Sequence, residues 1–586
     1  MKTGICTIWT VGCFALSAAT MTIAPGNGMA TNVSDRITSM VDVETNPGAS
    51  GGGIVTLGRF NDYTGTTSNG CGTLVATALA PEGVRSSLGS SGSLILGAGT
   101  FRYTGTPGAT LGHSVTNTFA GDETNRAVIV DAVSDFAFNG HWVQPTGAFI
   151  KKGPGTFTIH GAPNGATNFF GVSSRTCIST LSSSSNLEFP ANGDSPLVGY
   201  AGLTVAEGTL RIDGGVNVFG QRWGTRVGAK FDYGAATPTL ELAGGTNIFY
   251  GAFYTGSTAS GGRSVLRITG GENILDADYV SDRKVLRFGA ASGSLGCLEM
   301  TGGALTVRDS GLNFTVSAAA GCKSQVLLSG GTITVNRYVI LGYAASANSS
   351  ATLTGDFVVS DDGVLDVLEG LETYNVNAPM DWNFTVRDGG TVRTKRFFHG
   401  GGWTDYPKPQ CTMLVDGGVI HGTSTQHIFG DGSGGTGISK DCVWVGAKGL
   451  TLQANPGVTL TISVPLVATN TVDGLAPAGL TLRPGPGMTG SVAFNILTNA
   501  SYAGPTRIQA NAGLRLSTGD LPAETSVICE DGARLYLSHH ARTFRTLDIG
   551  ASCQIYVTPE APLTVTDSFA AEAGTIYLKT GAGPPI

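Results

Sequence analysis

Apolar and polar residues alternate through the middle of this chain in a ten-residue phrase that returns again and again. It reads Leu210-Arg211-Ile212-Asp213-Gly214-Gly215-Val216-Asn217-Val218-Phe219, then Leu240-Glu241-Leu242-Ala243-Gly244-Gly245-Thr246-Asn247-Ile248-Phe249. Further copies run Leu266–Leu275 and Leu298–Val307, and weaker ones centre on Gly330-Gly331, Gly355-Asp356, Gly389-Gly390 and Gly417-Gly418. The period-2 alternation puts Leu210 and Ile212 on one face and Arg211 on the other, as a half-buried strand requires. The double glycine then lets the chain turn sharply and start a second strand. Midway between the double glycines comes a third apolar phrase, Arg226-Val227-Gly228, Leu286-Arg287-Phe288-Gly289 and Ile340-Leu341-Gly342. Each repeat therefore predicts at least three short strands.

The first glycines of successive phrases lie 30, 26, 32, 28, 25, 34 and 28 residues apart. A period in that range means one structural unit stacked on copies of itself. The expected fold is all-β: a right-handed parallel β-helix, or β-solenoid, built of Gly-rich repeats, its hand set by strand twist. Two ladders follow if one repeat is one coil. Asn217, Asn247 and Asn273 stand three residues after their first glycines, so their amides should stack and bond one to the next. On the outer face Arg211, Glu241, Arg267 and Glu299 should form a column of alternating charge.

Composition sharpens this picture. Glycine makes up 88 of 586 residues, about twice the usual share of roughly 7%. There is no three-residue glycine period, which excludes collagen, and an apolar fraction of 41% is too high for a disordered linker. Only 13% of residues are charged, against a usual value near 25%. Ser, Thr, Asn and Gly must cover the surface instead, as on extracellular β proteins. The net charge is −7 with no basic run, which argues against nucleic acid as a partner.

Residues 1–30 read as a signal peptide: Met1-Lys2, an uncharged stretch from Ile5 to Ala19, and small-residue cleavage sites near Ala18-Ala19, Ala24 or Ala30. No membrane span is expected after signal cleavage. Two of the ten cysteines, Cys6 and Cys13, leave with the signal. The other eight show neither Cys-x-x-Cys nor zinc spacing. Cys297/Cys322 and Cys529/Cys553 are 25 and 24 residues apart, close to one repeat. Each pair either bridges neighbouring coils when oxidised or simply supplies small buried side chains.

Outside the middle the phrase changes. Phe60-Asn61-Asp62-Tyr63-Thr64-Gly65-Thr66-Thr67 leads to Gly72-Thr73-Leu74-Val75. Near the other end Ala500-Ser501-Tyr502-Ala503-Gly504-Pro505-Thr506 leads to Ala512-Gly513-Leu514-Arg515-Leu516. Both resemble the autotransporter-associated β-strand repeat, and Lys151-Lys152-Gly153-Pro154-Gly155 looks like the opening of another unit. The clear matches cover about a quarter of the chain. The resemblance implies a passenger-type β-helix exported to the surface of a diderm bacterium or beyond it, in a family that includes adhesins. No C-terminal stretch reads as an outer-membrane barrel, so the export route stays open. The expected divisions are the signal peptide, 31–195 and 436–586 as strand-repeat regions, and 196–435 as the Gly-Gly array.

Chemistry is sparse. Gly48-Ala49-Ser50-Gly51-Gly52 fits the nucleophile-elbow spacing without its strand-to-helix context. Gly430–Gly437 suggests a calcium repeat, but Ser439 stands where aspartate is wanted. The eight histidines, His539-His540 among them, lack partners at metal-ligand spacing. Asp276, Asp278, Asp282, Arg283 and Lys284 cluster as the carboxylates of carbohydrate-cleaving β-helices do, or as Ca²⁺ ligands do, yet ordinary solvation explains them too. Phe249, Tyr250, Phe253 and Tyr254 either stack on sugar rings or fill the core. No catalytic, cofactor-binding or metal-binding residue is therefore assigned, and no cofactor is expected. The leading expectation is a structural or adhesin-like surface protein contacting glycans, matrix or other cells, and self-associating through open solenoid ends. The alternative is a polysaccharide lyase or glycoside hydrolase on a β-helix.

Overall fold

The computed structural model describes residues 19–38, 41–46, 53–58, 60–90, 92–117, 127–144, 148–171, 203–220, 225–227, 237–250, 253–255, 262–276, 286–288, 293–308, 312–316, 323–343, 353–373, 380–399, 411–429, 439–469, 478–572 and 575–578. It is a parallel β-solenoid. Every strand-to-strand pairing among these residues is parallel, in one 42-stranded and one 7-stranded sheet. Apart from the single 3₁₀ turn Pro163–Gly165, no helix occurs among them.

One repeat is one coil. Strand Thr209–Gly220 bends at its double glycine, and Thr225–Val227 follows as the third strand. The next coil repeats this with Thr239–Tyr250 and Phe253–Thr255. Register then follows the phrase: Leu210 pairs with Leu240, Leu240 with Leu266, Leu266 with Leu298, and Leu298 with Val326. Side chains facing inward form one continuous apolar cluster that runs from Ile23 to Ile555. Within it Phe170, Phe219 and Phe249 stack at centroid spacings of 4.9 and 4.8 Å.

The two glycines of the bend do different jobs. Gly245 has φ +75°, a left-handed conformation that side chains disfavour. Gly244 is needed for proximity, since a Cβ there would lie 2.3 Å from the carbonyl oxygen of Asp213 in the coil before. The stacking of coils, as well as the turn, thus requires Gly-Gly.

The asparagine column forms and extends by one member. Asn168 Nδ2 donates to Asn217 Oδ1 at 3.0 Å, Asn217 to Asn247 at 3.0 Å, and Asn247 to Asn273 at 2.9 Å. The column ends where Leu305 replaces asparagine, and Asn273 donates to the Ala304 carbonyl at 3.0 Å instead. All four asparagines are buried.

One weaker copy is displaced from its expected centre. Gly355 and Asp356 lie inside strand Leu353–Val359, opposite Ser324 and Gln325. The bend of that coil falls at Asp361-Asp362-Gly363, where Asp361 takes φ +54°. Gly355 is small for another reason: the buried Trp382 ring lies across it.

The tyrosine-threonine phrases near both ends fold alike. Tyr63 and Tyr502 are fully buried, and their hydroxyls meet Thr67 Oγ1 at 2.5 Å and Thr506 Oγ1 at 2.6 Å. Burial raises both phenols far above the ordinary tyrosine range. Toward the C-terminal end the coils shorten. Leu514 pairs with Leu535, Leu535 with Ile555, and Ile555 with Ile576, at intervals of 21, 20 and 21 residues.

Candidate binding surface

The outer faces repeat as regularly as the core. Arg211 forms an ion pair with Glu241, and Arg267 pairs with Glu299 at 2.9 Å. Glu241 stands opposite Arg267 in register, and Glu299 also receives Arg263 at 2.6 Å. The column ends at the partly exposed Leu327, which faces Glu299 from the following coil.

A second column, missed in the sequence, lies on the short C-terminal coils. Arg515, Tyr536, Tyr556 and Tyr577 occupy successive register positions. The Tyr536 and Tyr556 rings stack with centroids 4.5 Å apart and planes 4° from parallel. Both are half-buried, and Tyr556 donates to Gln554 Oε1 at 3.0 Å. Partial burial, followed by the neighbouring Tyr556, raises the Tyr536 phenol. The signal was an apolar-Tyr-apolar triplet recurring as Leu535-Tyr536-Leu537, Ile555-Tyr556-Val557 and Ile576-Tyr577-Leu578. The triplets carry no double glycine, the mark of the other repeats.

Nearby, a cleft of about 370 Å³ is lined by Arg483, Pro484, Pro486, Met488, Gln509, Ala510, Asn511 and Glu530. Its carboxylate, Glu530, pairs with Arg507 at 3.0 Å. Glycosidic hydrolysis in its usual form takes two carboxylates flanking the bond, and this lining supplies one. What the cleft offers is a guanidinium, amides and flat apolar surface.

Of the residues singled out from the sequence, those described fall at separate places in the fold. Asp276 ends strand Glu272–Asp276, buried rather than solvated, with Arg308 of the next coil 3.9 Å away. Asp278, Asp282, Arg283 and Lys284 lie outside the described residues, as do Ser50 and its neighbours and the Gly430–Gly437 stretch. Phe249 is core. The side chains of Tyr250, Phe253 and Tyr254 are outside the description. His540 meets Asp520 at 3.1 Å, and His539 takes φ +79° at a turn. Among the described residues no group of three His, Cys, Asp or Glu side chains is placed to hold a metal ion. No helix among them is long and apolar enough to cross a membrane.

Two buried cations were also missed. Lys151 reads as the opening of a strand unit, yet its side chain is wholly inside. Its Nζ donates to the carbonyls of Gly153 at 2.6 Å and Glu207 at 3.0 Å. Burial lowers its pKa to about 8 against the pull of Glu207. Arg542, equally enclosed, donates to the carbonyls of Ser517 and Gly519 at 3.2 and 3.3 Å and pairs with Asp520. Both tie adjacent coils through backbone oxygens.

Over 220 residues the chain is 30% identical to the Adhesin BmaC autotransporter of Brucella suis biovar 1 (strain 1330). The likeness is to an autotransporter adhesin. It takes up 36% of this chain and 5% of that protein, so the chain matches only a small part of that relative's length. No family model matches the chain. No solved structure matches it either.

Proposed function

We propose that this chain is an adhesin-like segment of passenger type, exported to the surface of a diderm bacterium or beyond it, that binds without cleaving. Its repeats are of the autotransporter-associated strand kind, and its partners are glycans, matrix components or other cells. The observation that carries this reading is the outer face, where the same side-chain types recur in register from coil to coil. Such a surface offers a linear partner many equivalent weak contacts, which add through avidity. The stacked Tyr536 and Tyr556 beside Arg515 and Gln554 suit a sugar polymer, pairing aromatic surface with donors and acceptors. The likeness to an adhesin supports the same reading.

Self-association belongs to the proposal as well. Phe569 and Ile576, on the strands Leu563–Ala571 and Thr575–Leu578, are about half exposed. A second molecule could cover that apolar edge.

The test is retention of the purified chain on immobilised polysaccharides and matrix proteins, compared with a Tyr536→Ala, Tyr556→Ala double variant. The reading expects retention by at least one class of surface and a clear loss in the variant. A chain retained by none of them would sink it.

A further inference from the structure

Cys529 closes strand Ser526–Cys529, and Cys553 stands at the corner of the next coil, just before strand Gln554–Val557. Register sets Cys529 beside Ile549 in that next coil. The corner holding Cys553 lies against the corner holding Ala533, because Gln554 N donates to the Ala533 carbonyl at 3.0 Å. Both corners close with the same turn bond, Ala533 N to Glu530 O at 3.0 Å and Cys553 N to Gly550 O at 3.1 Å. The two side chains are 1% and 0% exposed and belong to the continuous core. Inside it the two thiols lie close enough across the stacked corners to shift each other's ionisation.

We propose that Cys529 and Cys553 are an inter-coil disulfide site, closed when the chain folds in the presence of a small-molecule or protein disulfide oxidant. The columns on either side give the thiols no packing advantage. Ile508 and Ile549 flank Cys529 in one column, and Ala533 precedes Cys553 in the other, so aliphatic side chains fill the equivalent places. Two cysteines facing inward from the stacked corners of adjacent coils are placed for a bridge between those coils. The thiolate is the nucleophile, and Cys553 reacts first. Its thiolate attacks the oxidant's disulfide and releases one thiol. Cys529 then gives up its proton and attacks the mixed disulfide, releasing the second. Two electrons pass to the oxidant, and the two cysteine protons end on the two released thiols. The bridge joins the coil that carries Tyr536 to the coil that carries Tyr556.

The test folds the full chain with oxidised glutathione, blocks remaining thiols under denaturing conditions, and maps tryptic peptides by mass spectrometry. The expected product links peptide 516–534 to peptide 546–579 and comes apart on reduction. Reductant should also lower the melting temperature of the wild-type chain by a few degrees and leave a Cys529→Val, Cys553→Ala variant unmoved. That variant copies what the neighbouring coils carry, so it is expected to fold. A folded, oxidant-treated chain in which both cysteines are recovered as blocked thiols, or bridged elsewhere, overturns the proposal.

Discussion

The side-chain amide of Asn217 donates to that of Asn247 at 3.0 Å, and each also donates to the carbonyl of a bend glycine in its own coil, Gly214 and Gly244. One asparagine therefore closes the bend of its coil and fixes the register of the next. In the interior, where water cannot substitute, these bonds are costly to leave unmade. Replacing Asn247 with Ala strands the Gly244 carbonyl and takes a donor from Asn273. At about 1–3 kcal/mol for each buried group left unpaired, the variant should lose several degrees of melting temperature. Amides of the bends at Gly244 and Gly270 should lose hydrogen-exchange protection first.

On the outside the corresponding column is weak by nature. Glu241→Lys places Arg211, Lys and Arg267 in consecutive coils. Partly exposed cross-strand pairs are worth roughly 0.2–1 kcal/mol each. The variant should melt a little lower in dilute buffer and recover with added salt, as screening removes the repulsion. An unchanged melting temperature at low salt would contradict a spacing of one repeat per coil.

The buried Lys151 makes stability depend on pH in an unusual direction. Its pKa is lowered to about 8 in the folded chain from 10.5. Between those values the unfolded chain holds more protons, so stability rises with pH through that window; below it the full cost of burying the charge is present and does not vary with pH. A shift of that size corresponds to about 3 kcal/mol in all. The difference in stability between wild type and Lys151→Met should therefore move in favour of wild type from pH 8 to pH 10. Thermal melts of the two proteins across that range check the sign.

Much of this was legible because the core and the bend are written in residue type. Leu210, Leu240, Leu266 and Leu298 mark one column and Gly214-Gly215 and its copies another, and a three-residue offset places the asparagines. Legibility failed where a different residue does the same job. Asp361 adopts the left-handed conformation that a glycine takes in other coils, so the bend was sought at Gly355. Asp276 looked solvated because its neighbours in sequence are polar. Its surroundings come from other coils, with Arg308 in register beside it. Lys151-Lys152-Gly153 marks the opening of a strand unit without showing which lysine turns inward. The burial of Lys151 is settled by carbonyls at Gly153 and at Glu207, the second from the next coil, 56 residues along the chain. The tyrosine column escaped because the coil length changes to about twenty residues near the end, and a ladder is visible only in the right period.

The proposed binding without cleavage is tested in both halves by one experiment. A polysaccharide that retains the chain is incubated with it, and the bound fraction and the polymer's length are followed together. A chain that binds without cleaving gives steady retention, no new reducing ends and no unsaturated products. Progressive shortening of the polymer by the purified chain would contradict it and restore the lyase or hydrolase.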